Sequence, residues 1–207
     1  ASPIVMAYGG VEMALWDLRG KLEGRSVASL LGGRVRDDVA FTEYFAMRET
    51  LGRHGGEQTP LEVARYCGRL AQDHGATAFE GKVGVRDLST EVAMVREVRS
   101  AVGPDAILRL DANMAWTTTT AREALRRFEA FDLSSFEEPV RTHVELARLR
   151  SSTGVSFSTH NPNLREAVLL GAPDAFVINL TTLGGIRRTV AFMAACEELR
   201  VDVWFYS

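Results

Sequence analysis

Cysteine, excess basic charge and long apolar runs are all scarce in this chain, and each shortage closes off a class of function. Two cysteines occur, Cys67 and Cys196, each within an apolar helical pattern. They have neither the paired spacing of a zinc site nor the density of a disulfide framework, so both are expected to be buried and reduced. Acidic residues outnumber basic ones, 27 to 24, for a net charge of -3. No basic patch marks the chain for nucleic acid, which is not expected as a partner. No apolar run approaches the roughly 20 residues of a membrane helix, and no charged-then-apolar leader opens the sequence. A membrane role is therefore not expected, and a cytoplasmic location is. Phosphate-cradling glycine patterns are missing as well: no G-x-G-x-x-G follows a strand-like run, and no G-x-x-x-x-G-K-[ST] occurs. The chain opens at Ala1 without a methionine and stops at Ser207 just after an apolar run, so both ends read as cut.

What is present is alternation. Short apolar runs recur at Val39–Phe45, Ala78–Val83, Ile107–Leu110, Ser135–Glu137, Val155–Ser158, Ala175–Leu180 and Val201–Tyr206. Amphipathic stretches of helical length separate them, among them Pro60–His74, Ser89–Val102, Thr118–Phe131, Leu164–Leu170 and Ile186–Leu199. Thr59-Pro60 starts one helix, and Gly75, Gly103 and Gly171 follow the ends of others. Strand and helix repeated in this way predict a parallel sheet with right-handed crossovers. Seven strand candidates in succession favour an α/β fold of the TIM type, a (β/α) barrel, over an open sheet. A complete eight-stranded barrel takes about 250 residues, so a seven-stranded, incomplete barrel is expected, with 1–207 as a single domain. Within it, 1–34 is the helix and linker leading to the first strand; the helix Ile4–Glu23 carries Val5, Ala7, Val11, Ala14, Leu15 and Leu22. The loop Arg48–Gln58, rich in glycine and charge, is expected to be the mobile element.

Polar residues at the carboxyl ends of barrel strands belong to the active site, because the loops that follow the strands converge there. Here the second strand ends in Glu80-Gly81-Lys82, the third in Asp111-Ala112-Asn113, the fourth in Glu137-Glu138-Pro139 and the fifth in Ser158-Thr159-His160-Asn161. Taken singly, Asp111 reads as a turn cap, Glu137 and Lys82 as solvated charges, and His160 as a histidine at the core rim. Four such residues at consecutive strand ends make a site the better reading. Two carboxylates at neighbouring ends repel unless a cation lies between them, and hard oxygen ligands suit Mg²⁺.

With these residues in view the sequence resembles the enolase superfamily, in its mandelate racemase and muconate lactonizing branch, and most of all the glucarate dehydratase-like acid-sugar dehydratases. The stretches that carry the resemblance are Val11-Glu12-Met13-Ala14-Leu15-Trp16-Asp17-Leu18-Arg19-Gly20-Lys21, Leu30-Leu31-Gly32-Gly33, Lys82-Val83-Gly84, Leu108-Arg109-Leu110-Asp111-Ala112-Asn113, Phe136-Glu137-Glu138-Pro139 and Leu183-Gly184-Gly185-Ile186. The resemblance implies Mg²⁺ held by groups on the third, fourth and fifth strands. Asp111 and Glu137 match the first two, and the third place falls on His160 or its neighbour Asn161, with His160 the better match in spacing. Lys82 matches the base of the family's Lys-x-Lys motif, and Asn113 a residue that faces substrate. The implied chemistry is removal of the proton α to a carboxylate, giving an ene-diolate, followed by loss of water. It also implies a small acid-sugar substrate, a homo-oligomer, and an N-terminal α+β cap domain that is absent from this chain.

The departures shape the expectation. Glu80 replaces the first lysine of the motif, and three readings stand: it points elsewhere, it binds metal or substrate, or it compromises the base strength of Lys82 by favouring the charged form. The sixth strand, Asn179-Leu180-Thr181-Thr182, lacks a second lysine or a clear Asp of a His–Asp dyad, and the seventh offers Tyr206 near the dyad's histidine. A one-base dehydration is therefore expected, with Lys82 as base and Tyr206 or His160 as proton donor. The alternatives are an epimerase, racemase or cycloisomerase of the same superfamily, and a truncated barrel that binds metal or acid sugars without turnover.

Overall fold

A computed structural model of the chain describes residues 2–51 and 55–206. In order, its elements are α1 (Pro3–Glu23), α2 (Val27–Leu30), β1 (Glu43–Phe45), α3 (Pro60–His74), β2 (Ala78–Lys82), α4 (Leu88–Val102), β3 (Ile107–Asp111), α5 (Thr118–Phe128) with a 3-10 turn (Glu129–Phe131), β4 (Ser135–Glu137), α6 (His143–Arg150), β5 (Ser156–Thr159), α7 (Leu164–Leu170), β6 (Ala175–Ile178), α8 (Leu180–Leu183), α9 (Ile186–Glu198) and β7 (Asp202–Phe205). They form two compact units. One comprises Phe41–Thr159 and Arg165–Asp174, and the other the remaining described residues.

Local chemistry sets the helix ends. Thr59 accepts from the Glu62 amide while Glu62 returns to the Thr59 amide, a capping box ahead of Pro60. Thr142 and Glu145 repeat the device at the start of α6. The periodicity reading passes over α6, whose buried face carries His143 beside Leu146 and Leu149. Gly75 ends α3 in the left-handed conformation. The expected run Ala175–Leu180 shortens to β6 because the Asn179 side chain accepts from the Thr181 amide and starts α8.

In the larger unit β1 to β5 pair in sequence order, all parallel. Their register sorts the side chains onto two faces, since neighbours along a strand point to opposite sides. Phe79, Leu108, Leu110, Phe136 and Phe157 fall on one face and are fully buried, in one core with Val63 and Cys67 of α3, Met94, Val95 and Val98 of α4, Ala121, Ala124 and Phe128 of α5, and Leu146 and Leu149 of α6. The opposite face carries, in pairing order, Tyr44, Glu80 and Lys82, Arg109 and Asp111, Ser135 and Glu137, and Ser158. The large apolar residues Phe79, Leu108, Leu110, Phe136 and Phe157 thus lie under the helices, while Glu80, Lys82, Arg109, Asp111 and Glu137 turn the other way. Of the loop Arg48–Gln58, residues 52–54 lie outside the described residues; Arg48 and Glu57 join its ends through a backbone hydrogen bond of 2.7 Å and an ion pair of 2.8 Å.

In the smaller unit β6 and β7 pair parallel. Glu12 of α1 accepts from the amides of Ile186 and Arg187 at 2.7 and 3.1 Å, satisfying donors that the first turn of α9 leaves open. Two distant stretches of the family-like pattern therefore meet at this carboxylate. The approach is close: a side chain at Gly9 would lie 3.0 Å from the Gly185 amide. Much of the apolar side of α1 faces outward, with Val11 61 % and Leu22 79 % exposed. Both cysteines are buried and free of disulfide, as expected. Burial pushes the Cys67 thiol up to about 12 and that of Cys196 to about 11, which leaves neither reactive. Among the described residues no helix is long and apolar enough to cross a membrane.

Candidate active site

The register that builds the polar face also places its charges. Lys82 pairs with Asp111, and Asp111 with Glu137, so three consecutive strands end in one row of ionisable groups. Glu80 lies two residues before Lys82 and therefore on the same face of β2. Glu80, Asp111 and Glu137 bring carboxylate oxygens within 4.8 Å of one another. Asp111 and Glu137 are buried, Glu80 partly so.

Lys82 reaches Asp111 Oδ2 in a salt bridge and hydrogen bond. Burial by itself lowers the lysine's pKa, but the Asp111 hydrogen bond and the charges of Asp111, Glu137 and Glu80 outweigh it, and the net shift is upward. In this arrangement Lys82 is a firmly held ammonium. Its Nζ lies 5.8 Å from the centre of the Tyr44 ring, whose hydroxyl is itself made less acidic by burial. Glu80 behaves in the opposite sense to an ordinary surface carboxylate. Burial and the negative charge of Glu137 push it up to about 7, against the pull of Lys82.

Asp111 is held from a second side. Asn113 donates its backbone amide to Oδ1 at 2.7 Å and its side-chain amide to Oδ2 at 2.8 Å. Asn113, Met114 and Glu138 have positive φ, at 45°, 60° and 40°, so the chain turns sharply just after β3 and after β4. Hydrogen bonds carry the ladder past the strand ends: Ala112 donates to Glu137, Met114 to Glu138, and Glu138 to Ser158. Glu138 is buried and accepts from Thr159 Oγ at 2.9 Å. After Lys82, the buried Glu91 accepts from the amides of Val85 and Arg86, both at 2.8 Å, which fixes the loop that leaves β2.

Of the residues expected from sequence, the structure brings together Lys82, Asp111, Glu137, Glu80 and Asn113. Asn113 donates from its side-chain amide to Asp111. His160 and Tyr206 belong to the smaller unit, where their rings meet edge-to-face at 4.5 Å and His160 Nδ1 lies 3.1 Å from the Val177 carbonyl. Tyr44 and Arg109 escaped the sequence reading. Their signal was positional, since strand pairing puts both opposite Glu80. Three carboxylates this close make a donor set suited to a hard divalent cation.

Comparison with known proteins identifies the family. The family model "Enolase C-terminal domain-like" matches residues 62–207, and that of the mandelate racemase / muconate lactonizing enzyme N-terminal domain matches residues 1–32. The stretch read as a lead into the barrel therefore falls within the N-terminal domain's pattern, of which the rest is absent from this chain. A muconate cycloisomerase 1-1 of Acinetobacter lwoffii is 29 % identical over 203 residues, covering 96 % of this chain and 51 % of the relative. A probable glucarate dehydratase of Streptomyces coelicolor is 28 % identical over 212 residues, covering 96 % of this chain and 49 % of the relative. The crystal structure of an enolase from Bradyrhizobium complexed with magnesium and mandelic acid superposes with a TM-score of 0.85 at 27 % identity, covering 98 % of this chain and 55 % of that one. The chain thus spans about half the length of the curated relatives it matches.

Proposed function

The chain belongs to the enolase C-terminal domain-like family, and from that premise we propose that it serves as a Mg²⁺-dependent acid-sugar dehydratase. The observation that carries this reading is the row Lys82, Asp111 and Glu137 on three neighbouring strand ends. A base candidate lies beside buried carboxylates suited to a hard cation, and a solved relative is complexed with magnesium and mandelic acid.

Asp111 and Glu137 would hold the ion. Mg²⁺ bound there would supply fixed positive charge against the negative charge that develops on the substrate carboxylate, and the same charge would weaken the hold of Lys82 on its proton. The protein's part follows from the geometry. Asn113 keeps both oxygens of Asp111 oriented. Lys82 Nζ, once neutral, takes the proton from the carbon α to the substrate carboxylate. The C–H electron pair passes into an ene-diolate of the substrate carboxylate; its collapse then forms the carbon–carbon double bond as the β C–O bond breaks, and the hydroxide leaves as water on gaining a proton. The enol then becomes a 2-keto-3-deoxy acid. Tyr206 is the proposed proton donor, with His160 as the alternative.

The test is a panel of acid sugars with Mg²⁺, scored for 2-keto-3-deoxy acid, with Lys82→Ala in parallel. Product that vanishes in the variant supports the reaction and the base together; full turnover by Lys82→Ala rules the mechanism out. Tyr206→Phe is expected to slow loss of water while leaving exchange of the α-proton with deuterium oxide. A cycloisomerase is the second reading, favoured by the muconate cycloisomerase relative. It predicts α-proton exchange without release of water from any acid sugar.

A further inference from the structure

The polar face of β2 differs from the resemblance at one position, where a carboxylate stands in place of a lysine. Glu80 and Lys82 share a face, and the Glu80 oxygen lies within 4.8 Å of those of both Asp111 and Glu137. Two oxygens bound to one Mg²⁺ at about 2.1 Å are at most about 4.2 Å apart, so a small turn of the side chains brings all three onto a single ion. We infer that Glu80 is the third carboxylate ligand of the divalent cation, which draws the ligand set onto β2, β3 and β4. The inference rests on the reading that Asp111 and Glu137 hold that cation.

Charge supports the assignment. Three carboxylates on one partly dry face repel one another, and repulsion of this kind is relieved by a shared cation. A ligand set displaced from β5 toward β2 also accounts for what stands at the fifth strand end. His160 is a nitrogen donor, and Mg²⁺ prefers oxygen; with Glu80 in the set the ion has three hard donors without it. The ordinary alternative is that Glu80 serves only as counter-charge to Arg109, its pairing partner on β3. The two roles separate cleanly, since a counter-charge affects stability and a ligand affects metal affinity.

The test is titration of the protein with Mn²⁺, followed by the loss of the free ion's paramagnetic resonance signal, for the parent, Glu80→Gln, Glu80→Asp, Asp111→Asn and His160→Ala. Circular dichroism and urea midpoints serve as the check on folding. The expected result is a loss of affinity of ten-fold or more in Glu80→Gln, a smaller loss in Glu80→Asp, a severe loss in Asp111→Asn and parent-like affinity in His160→Ala. Parent-like affinity in a folded Glu80→Gln overturns the inference while leaving Asp111 and Glu137 in place. If Glu80→Gln does not fold, Glu80→Asp decides, because shortening a true ligand by one methylene weakens binding whereas preserving a counter-charge does not. A parent protein that binds no Mn²⁺, or an Asp111→Asn variant that binds normally, removes the underlying reading and the inference with it.

Discussion

Asn113 grips Asp111 with two hydrogen bonds, one from its backbone at 2.7 Å and one from its side chain at 2.8 Å. Sequence resemblance has this asparagine face the substrate; the fold also uses it to orient a carboxylate. Its φ of 45° suits asparagine better than most residues. Asn113→Ala is therefore expected to weaken Mg²⁺ binding by about 10- to 100-fold, the usual effect of losing a group that orients a ligand. Calorimetric titration with Mg²⁺ checks it, and unchanged affinity counts against the role.

Lys82 neutralises a fully buried Asp111, so its removal has a structural consequence apart from catalysis. Lys82→Met leaves that carboxylate without its ammonium. Breaking one side of a buried pair costs about 3–5 kcal/mol, and partial exposure of the lysine places the expected loss at or below the low end of that range. Urea unfolding of metal-free protein measures it. Added Mg²⁺ should restore much of the loss, because a bound cation replaces the missing charge.

The raised pKa of Glu80 makes stability depend on pH in a defined direction. Its carboxyl titrates near 4.5 in the unfolded chain and is pushed up to about 7 in the native one. Between those values the native state binds more protons, so stability falls as pH rises from about 4.5 to about 7 and stays low above. At about 1.4 kcal/mol per unit the loss is at most on the order of 3 kcal/mol. Comparing metal-free parent and Glu80→Gln at about pH 5 and about pH 8 isolates it: the variant should gain on the parent at the higher pH. An equal response to pH in both proteins would falsify the assignment.

Gly81 lies between Glu80 and Lys82 and faces the core. A Cβ there would come within 2.2 Å of the Phe45 ring, which is fully buried. Gly81→Ala is expected to destabilise by about 1–3 kcal/mol, the range of overpacked cores, and to disturb the two charged residues it separates. Phe45→Leu, introduced alongside, should recover part of the stability; if it recovers none, the clash is not the cause.

Much of the fold was legible because its signals are local. Pro60–His74 and Leu164–Leu170 were bounded correctly by periodicity and by the residues that start and stop them. The strands stood out as short apolar runs at regular spacing. Reading failed where the apolar pattern was interrupted or the signal crossed elements. α6 carries a histidine on its buried face, and the turn at Asn179 looked like more strand. The candidate site divides in the same way. Asp111, Glu137 and Lys82 were legible because barrel strands announce their carboxyl ends, whereas Tyr44 and Arg109 carry no mark in their own neighbourhoods.

Alternation of residue type along the chain was enough to specify parallel strands with covering helices and a row of charges at the strand ends. Whether those charges share one face could not be read from type or spacing, because a shift of register by one residue turns every side chain to the opposite side. Tertiary pairing made that decision. It set Lys82 beside Asp111 and Asp111 beside Glu137, brought Glu80 into the same group of oxygens, and committed Asn113 to a carboxylate. These relations depend on distances between strands far apart in sequence, and only the packed sheet fixes such distances.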